Sequence, residues 1–240
     1  MREEVHRVPV EGVKLALVLH LPERSPAACV VACHGLGASK DSEKYLLLGR
    51  EFPKTGLALA RFDFRGCGES DGSFADSTVA SRVRDLEAVL HFLGEHPALD
   101  RRFGLLGSSM GGYVALFVAA KRPGGLPVVT WNCPATLRGL EPTTSADLSG
   151  VGPVFFEELC AGQHADAPLG VRCVLVIQAD RDEVVPPGHG RLLFERAAVP
   201  RELVMLSGAD HRLTDVSHRM EALARSLRWF ERFLLATAHG

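Results

Sequence analysis

Residues 28–33 read Ala-Cys-Val-Val-Ala-Cys, a run with no charged or strongly polar side chain at any position. Successive side chains of an extended strand point to opposite faces, so such a run is stable only when both faces are buried. Two-sided burial requires a sheet with helices packed above and below it. The rest of the chain supplies the matching rhythm. Runs at 3–10 and 13–21 are close enough to pair as an antiparallel edge, and further strand-type runs recur at 57–62, 103–106, 126–131, 173–177 and 202–206. Helical segments fit 43–52, 78–96 and 110–121, and a long amphipathic one runs through 213–235. The expectation is an α/β fold with a mostly parallel sheet of about eight strands and helices on both faces.

One stretch breaks the alternation. Residues 132–170 scatter prolines and glycines over a length unusual for a connection, which reads as a small cap inserted into a single domain spanning 1–240. A short helix fits 154–159 within it. Phe155 and Phe156 there are candidate walls of a substrate pocket, or equally the core of the insert itself.

Composition narrows the partners. With 46% hydrophobic and 23% charged residues, 240 residues can bury a full core. A formal net charge of -2 gives no field to attract a polyanion, so no nucleic-acid partner is expected. Nothing approaches the roughly 18 consecutive apolar residues of a membrane-spanning helix, and no membrane partner is expected. The opening Met1-Arg2-Glu3-Glu4 has no apolar run behind it and reads as no signal peptide, giving a cytoplasmic location as the expectation. Cys29, Cys33, Cys67, Cys133, Cys160 and Cys173 form no Cys-x-x-Cys pair and are expected to be reduced and structural. They do not cluster with histidines at zinc-ligand spacing, so no metal is expected.

Chemistry enters at Gly107-Ser108-Ser109-Met110-Gly111. A serine hydroxyl must be activated by a base and held clear of the sheet, and a sharp strand-to-helix turn flanked by glycines achieves this exposure. The pattern alone arises by chance in roughly one chain of this size in ten, given ordinary glycine and serine usage. Here it lies between a strand-type run and a helical one. Ser108 competes for the role, but Leu106 and Met110 flank it where glycines are needed, so Ser109 is the candidate nucleophile.

A serine nucleophile needs an imidazole, and the imidazole a carboxylate. The run at 173–177 leads into Gln178-Ala179-Asp180-Arg181-Asp182, where two aspartates compete. The run at 202–206 leads into Ser207-Gly208-Ala209-Asp210-His211. His211 thus follows a strand's C-terminal end, where open α/β sheets carry their sites. His164 and His189 do not, and His34 is a second candidate, better read as fixing the shape of its loop.

Five ordered motifs together carry a resemblance: His34-Gly35-Leu36-Gly37, Arg61-Phe62-Asp63-Phe64-Arg65-Gly66-Cys67-Gly68-Glu69-Ser70, Gly107-Ser108-Ser109-Met110-Gly111-Gly112, Asp182-Glu183-Val184-Val185-Pro186 and Gly208-Ala209-Asp210-His211. From about Val13 to Leu235 the chain resembles α/β-hydrolase-fold serine hydrolases, most of all small bacterial esterases of the feruloyl and cinnamoyl group. The resemblance implies the triad Ser109, Asp182 and His211, since Asp182 stands where the family has its acid, three residues before Val185-Pro186. Ala179 stands where the family usually has glycine. It also implies an oxyanion hole built from the backbone N–H groups of Leu36 and Met110. In the same reading, the 63–70 loop is scaffold beneath the site, held by Asp63 and Arg65.

The expected activity is hydrolysis of a small-molecule carboxylic ester through an acyl-enzyme, without metal or organic cofactor. A serine at the elbow argues against haloalkane dehalogenase, epoxide hydrolase and dienelactone hydrolase chemistry. Thioesterase, peptidase and acyltransferase activities use the same triad. A non-catalytic binding protein of this fold is the alternative from a different class. Homodimerisation is left open.

Overall fold

The computed structural model describes residues 2–122, 124–139 and 150–235. Its strands form one eight-stranded sheet: β1 (Arg2–Val10), β2 (Val13–Leu21), β3 (Ala27–Cys33), β4 (Ala58–Phe62), β5 (Leu99–Ser108), β6 (Val128–Trp131), β7 (Val174–Ala179) and β8 (Arg201–Leu206). Their order across the sheet is β1-β2-β4-β3-β5-β6-β7-β8. The first two strands form an antiparallel hairpin and β2 runs antiparallel to β4, while every pairing from β4 to β8 is parallel.

The apolar run behaves as its composition requires. All seven residues of β3 are buried. Cys29, Val31 and Cys33 join a core with residues of α2 (Val79–Gly94), α3 (Met110–Ala120) and α5 (Gly188–Arg196). Ala28, Val30 and Ala32 join the opposite core with residues of α1 (Glu43–Glu51) and α6 (Val216–Phe230). The period-two alternation of a strand therefore splits one continuous apolar run between two cores.

Chain order reverses around β3. The connection through α1 leads to β4 on one side of it, and the connection through α2 leads to β5 on the other. At such a switch point the loops leaving the two adjacent strand ends diverge and open a crevice. The loops after β3 and β5 carry Leu36 and Ser109.

Some boundaries differ from the pattern reading. Strand β5 begins at Leu99 because Ala27 pairs with Leu99, although the polar Asp100, Arg101 and Arg102 interrupt its apolar signal. Helix α5 has no clear sequence signature, since Gly188 and Gly190 open it and Leu193 is its one buried large apolar residue. Helix α6 starts at Val216, after Asp215 caps it by accepting the Ser217 N–H at 2.7 Å. All six cysteines are free thiols. Burial pushes the thiols of Cys29, Cys33 and Cys133 up, which leaves them unreactive. Among the described residues, no helix is long and apolar enough to cross a membrane.

Residues 140–149 of the cap expected over 132–170 lie outside the described residues. The remainder includes the short helix α4 (Pro153–Cys160). The Gly152 N–H donates to the Ala75 carbonyl oxygen at 3.1 Å, and the Glu158 carboxylate accepts the Ala80 N–H in the first turn of α2. Phe155 is 1% exposed and packs edge-to-face on Phe156, ring centroids 5.5 Å apart.

Candidate active site

Ser109 sits between the last residue of β5 and the first of α3, with φ 54° and ψ −125°. A non-glycine residue rarely takes such a positive φ, and the strain lifts the side chain out of the strand. The elbow holds because strand and helix cross at backbone contact. A Cβ on Gly111 would lie 2.0 Å from the Cys33 carbonyl oxygen, and one on Gly107 would lie 2.3 Å from the Gly111 carbonyl carbon. Only residues without a Cβ permit that crossing. Ser108 is buried, and its Oγ accepts a hydrogen bond from Lys44 Nζ at 2.8 Å.

The loop after β3 lies against Ser109. A Cβ on Gly35 would stand 3.2 Å from Ser109 Cβ and 3.8 Å from its Oγ. His34, just before it, is buried and uses both ring nitrogens. Its Nε2 accepts the Phe64 N–H at 3.0 Å, so Nδ1 carries the proton that bonds the Gly35 carbonyl oxygen at 2.8 Å. Burial, helped by the nearby Arg82 charge, lowers its pKa to about 3. A ring so engaged braces the loop. Asp63 contributes beneath it by accepting the Lys40 N–H at 2.6 Å, while Arg65 forks onto Asp85 of α2.

The His34 burial has a consequence for stability. The unfolded chain takes up a proton on this ring below about pH 6.5, whereas the native ring does not until about pH 3. Stability is therefore full above the unfolded value and falls as pH drops through that window. Urea unfolding of His34→Gln between pH 6 and 4 is expected to show a shallower loss, by up to about 1.4 kcal/mol per pH unit. Equal slopes in the two proteins would refute the buried neutral ring.

The two aspartates after β7 meet different fates. Asp182 is buried, with its carboxylate oxygens 2.8 and 2.9 Å from His211 Nδ1. Its Oδ1 also accepts the Val184 and Val185 N–H groups at 2.9 and 2.7 Å, and Gln178 Nε2 donates to Oδ2 at 3.3 Å. Asp180 is exposed and accepts the Gly208 N–H at 2.6 Å, stapling the acid loop to the histidine loop.

Ser109, Met110, Leu36 and His211 all line one cavity of about 740 Å³. Pro134, Leu137, Val184, Val185 and Pro186 give it apolar walls. Neither Phe155 nor Phe156 is among the lining residues, and both pack instead in the core beneath the insert. The physical reason is the tie between α4 and the first turn of α2, which turns the two rings toward that core.

Two site residues carried no sequence signal. Asn132, at φ 51° after β6, donates from Nδ2 to the His211 carbonyl oxygen at 2.8 Å and accepts the Ala179 N–H on Oδ1 at 2.7 Å. One side chain thus ties the acid loop to the histidine loop. Lys44 lines the cavity from α1. An asparagine after a strand and a lysine on a helix are ordinary surface residues until their neighbours are known.

The chain is similar to several known proteins. Residues 24–146, just over half of the chain, match the model of the family described as serine aminopeptidase, S33. The chain belongs to that family. As an S33-family member of α/β-hydrolase fold, it is 25% identical over 193 residues to the rat mitochondrial palmitoyl-protein thioesterase ABHD10. That match covers 70% of this chain and 63% of the relative, so the chain spans less than two thirds of the relative's length. It is 24% identical over 242 residues to a monoacylglycerol lipase of Mycolicibacterium smegmatis, covering 82% of this chain and 85% of that one. Among solved structures, Est1E of Butyrivibrio proteoclasticus with bound ferulic acid superposes with a TM-score of 0.82 at 17% identity, covering 97% and 100% of the two chains. Mouse ABHD10 superposes with a TM-score of 0.78 at 20% identity, covering 96% and 99%. At those identities the likeness is one of fold.

Proposed function

We propose that the protein is a serine hydrolase that cleaves carboxylic esters of small or medium size through an acyl-enzyme on Ser109. The observation that carries this reading is the buried Asp182–His211 pair lining, through His211, the same cavity as a serine on a strained turn. His211 Nε2 takes the Ser109 proton as Oγ attacks the ester carbonyl carbon. Asp182 holds Nδ1–H and stabilises the imidazolium that forms. The oxyanion is met by the Leu36 and Met110 N–H groups, the second at the start of α3, where the helix dipole favours negative charge. His211 then protonates the leaving alcohol, and water enters by the same route to release the acid.

A thioester is the second reading, favoured by the likeness to the palmitoyl-protein thioesterase. The family description raises a peptide substrate. Four cationic side chains on the cavity wall, Lys44, Arg138, Arg212 and Arg219, against Glu43 and Glu183, suit a peptide's α-ammonium group poorly. The test is a panel of p-nitrophenyl esters of rising acyl length beside acyl-CoA thioesters and aminoacyl amides. Ester kcat/KM is expected to exceed amide kcat/KM by at least about a hundredfold, and the reverse order would overturn the ester reading. No metal or cofactor enters this scheme. The small-molecule ester is the proposed partner, with the cytoplasm as its proposed setting.

A further inference from the structure

Lys44 is not used by the chemistry above, yet it stands beside it. Its Nζ lies 2.8 Å from Ser108 Oγ, and Ser108 directly precedes the nucleophile. It lines the cavity together with Arg212 and Arg219, on a wall formed by α1 and by the segment from His211 into α6. The nearby acids Glu43 and Asp210 hydrogen-bond to other groups, although Asp210 still acts on Lys44 through its charge. Glu43 pairs with Arg219, and Asp210 accepts from the Thr214 N–H at 2.8 Å and from its hydroxyl. Among the described residues, no carboxylate lies within ion-pair distance of Lys44 Nζ, which donates to the neutral Ser108 hydroxyl and sits 5.7 Å from the centroid of the Tyr45 ring. Burial, then the Arg212 and Arg219 charges, lower its pKa to about 8 against a smaller opposing pull from Asp210, so it is mostly charged at neutral pH. A partly desolvated ammonium of this kind gains most from a charged acceptor.

We propose that Lys44 is a carboxylate-recognition site of this cavity, so that the favoured substrates are esters carrying a second, ionised carboxylate near the scissile bond. The inference rests on the ester reading for its place in turnover. Lys44's partner Ser108 is the residue directly before Ser109, and both Lys44 and Ser109 line the cavity, so a carboxylate on the ammonium belongs to the same short substrate as the scissile carbonyl. The spacer range to test between carboxylate and ester carbonyl is about two to four carbons. The carboxylate can belong to the acyl group, as in a monoester of a short dicarboxylic acid, or to the alcohol, as in an ester of a short hydroxy acid.

Paired substrates separate these sources. p-Nitrophenyl hydrogen glutarate is compared with p-nitrophenyl valerate on the acyl side. The valerate ester of 3-hydroxypropionate is compared with propyl valerate on the alcohol side. In wild type, the anionic member of one pair is expected to exceed its neutral partner in kcat/KM by about tenfold or more. In Lys44→Met that ratio is expected to fall at least about tenfold, through KM, and Lys44→Arg is expected to restore part of it. A wild-type preference for the neutral ester in both pairs, or a ratio unmoved in Lys44→Met, overturns the proposal. NMR titration with glutarate needs no turnover. Glutarate binding equal in wild type and Lys44→Met refutes the site whatever the enzyme hydrolyses. Binding lost in Lys44→Met, with no ester of the panel cleaved by wild type, supports the site and refutes the ester reading instead.

Discussion

Ser109→Ala is expected to lower hydrolysis of p-nitrophenyl butyrate by about 10⁴- to 10⁶-fold and to abolish labelling by a fluorophosphonate probe. The size follows from what the substitution removes. On the proposed mechanism no acyl-enzyme forms without Oγ, and His211 is left to activate water alone, while the proposed oxyanion donors and the cavity still contribute their share. Fold is not at stake to the same degree, because alanine is smaller than serine and the elbow is held by the Gly107 and Gly111 crossing rather than by the hydroxyl. Ser108→Ala is the companion variant. Its hydroxyl is buried under Lys44, so labelling should persist in it. A probe that still labels Ser109→Ala would remove Ser109 from the role of nucleophile.

The second large effect distinguishes two carboxylates only two positions apart. Asp182→Asn should reduce kcat by about 10⁴, whereas Asp180→Asn should stay within about threefold of wild type. An asparagine oxygen at 182 can still accept the Val184 and Val185 N–H groups that Oδ1 accepts now. Its amide nitrogen then faces His211 Nδ1 as a donor. That geometry favours the wrong imidazole tautomer and offers no negative charge to the imidazolium. At 180 the exchange is mild, since an asparagine oxygen can keep the Gly208 N–H bond in an exposed loop. Steady-state kinetics of the two variants, with thermal unfolding to confirm matched stability, decide the matter. The reverse order would show that the acid is Asp180.

Much of this was legible along the chain because it is written in local pattern. A strand buried on both faces can only be apolar throughout, so residues 28–33 announce a covered sheet before any contact is known. An elbow needs glycines two residues either side of the nucleophile, so Ser109 stands out from Ser108. His211 is marked by its position at a strand end. The start of β5 was hidden because Asp100, Arg101 and Arg102 interrupt its apolar signal at a sheet end, and α5 because two glycines open it.

By itself, then, the sequence determined the α/β architecture, the candidate nucleophile and the candidate base, because hydrophobic period and glycine spacing report burial and turn geometry within a few residues. The family resemblance had to be invoked to prefer one aspartate. Only the tertiary structure decided that Asp182 is the one buried against His211 while Asp180 staples two loops at the surface. It alone turned Phe155 and Phe156 into the core under the insert and brought Asn132 and Lys44 to the site. The reason is common to all four. What a polar or aromatic side chain does depends on which distant segment packs beside it, and no period along the chain encodes that neighbour.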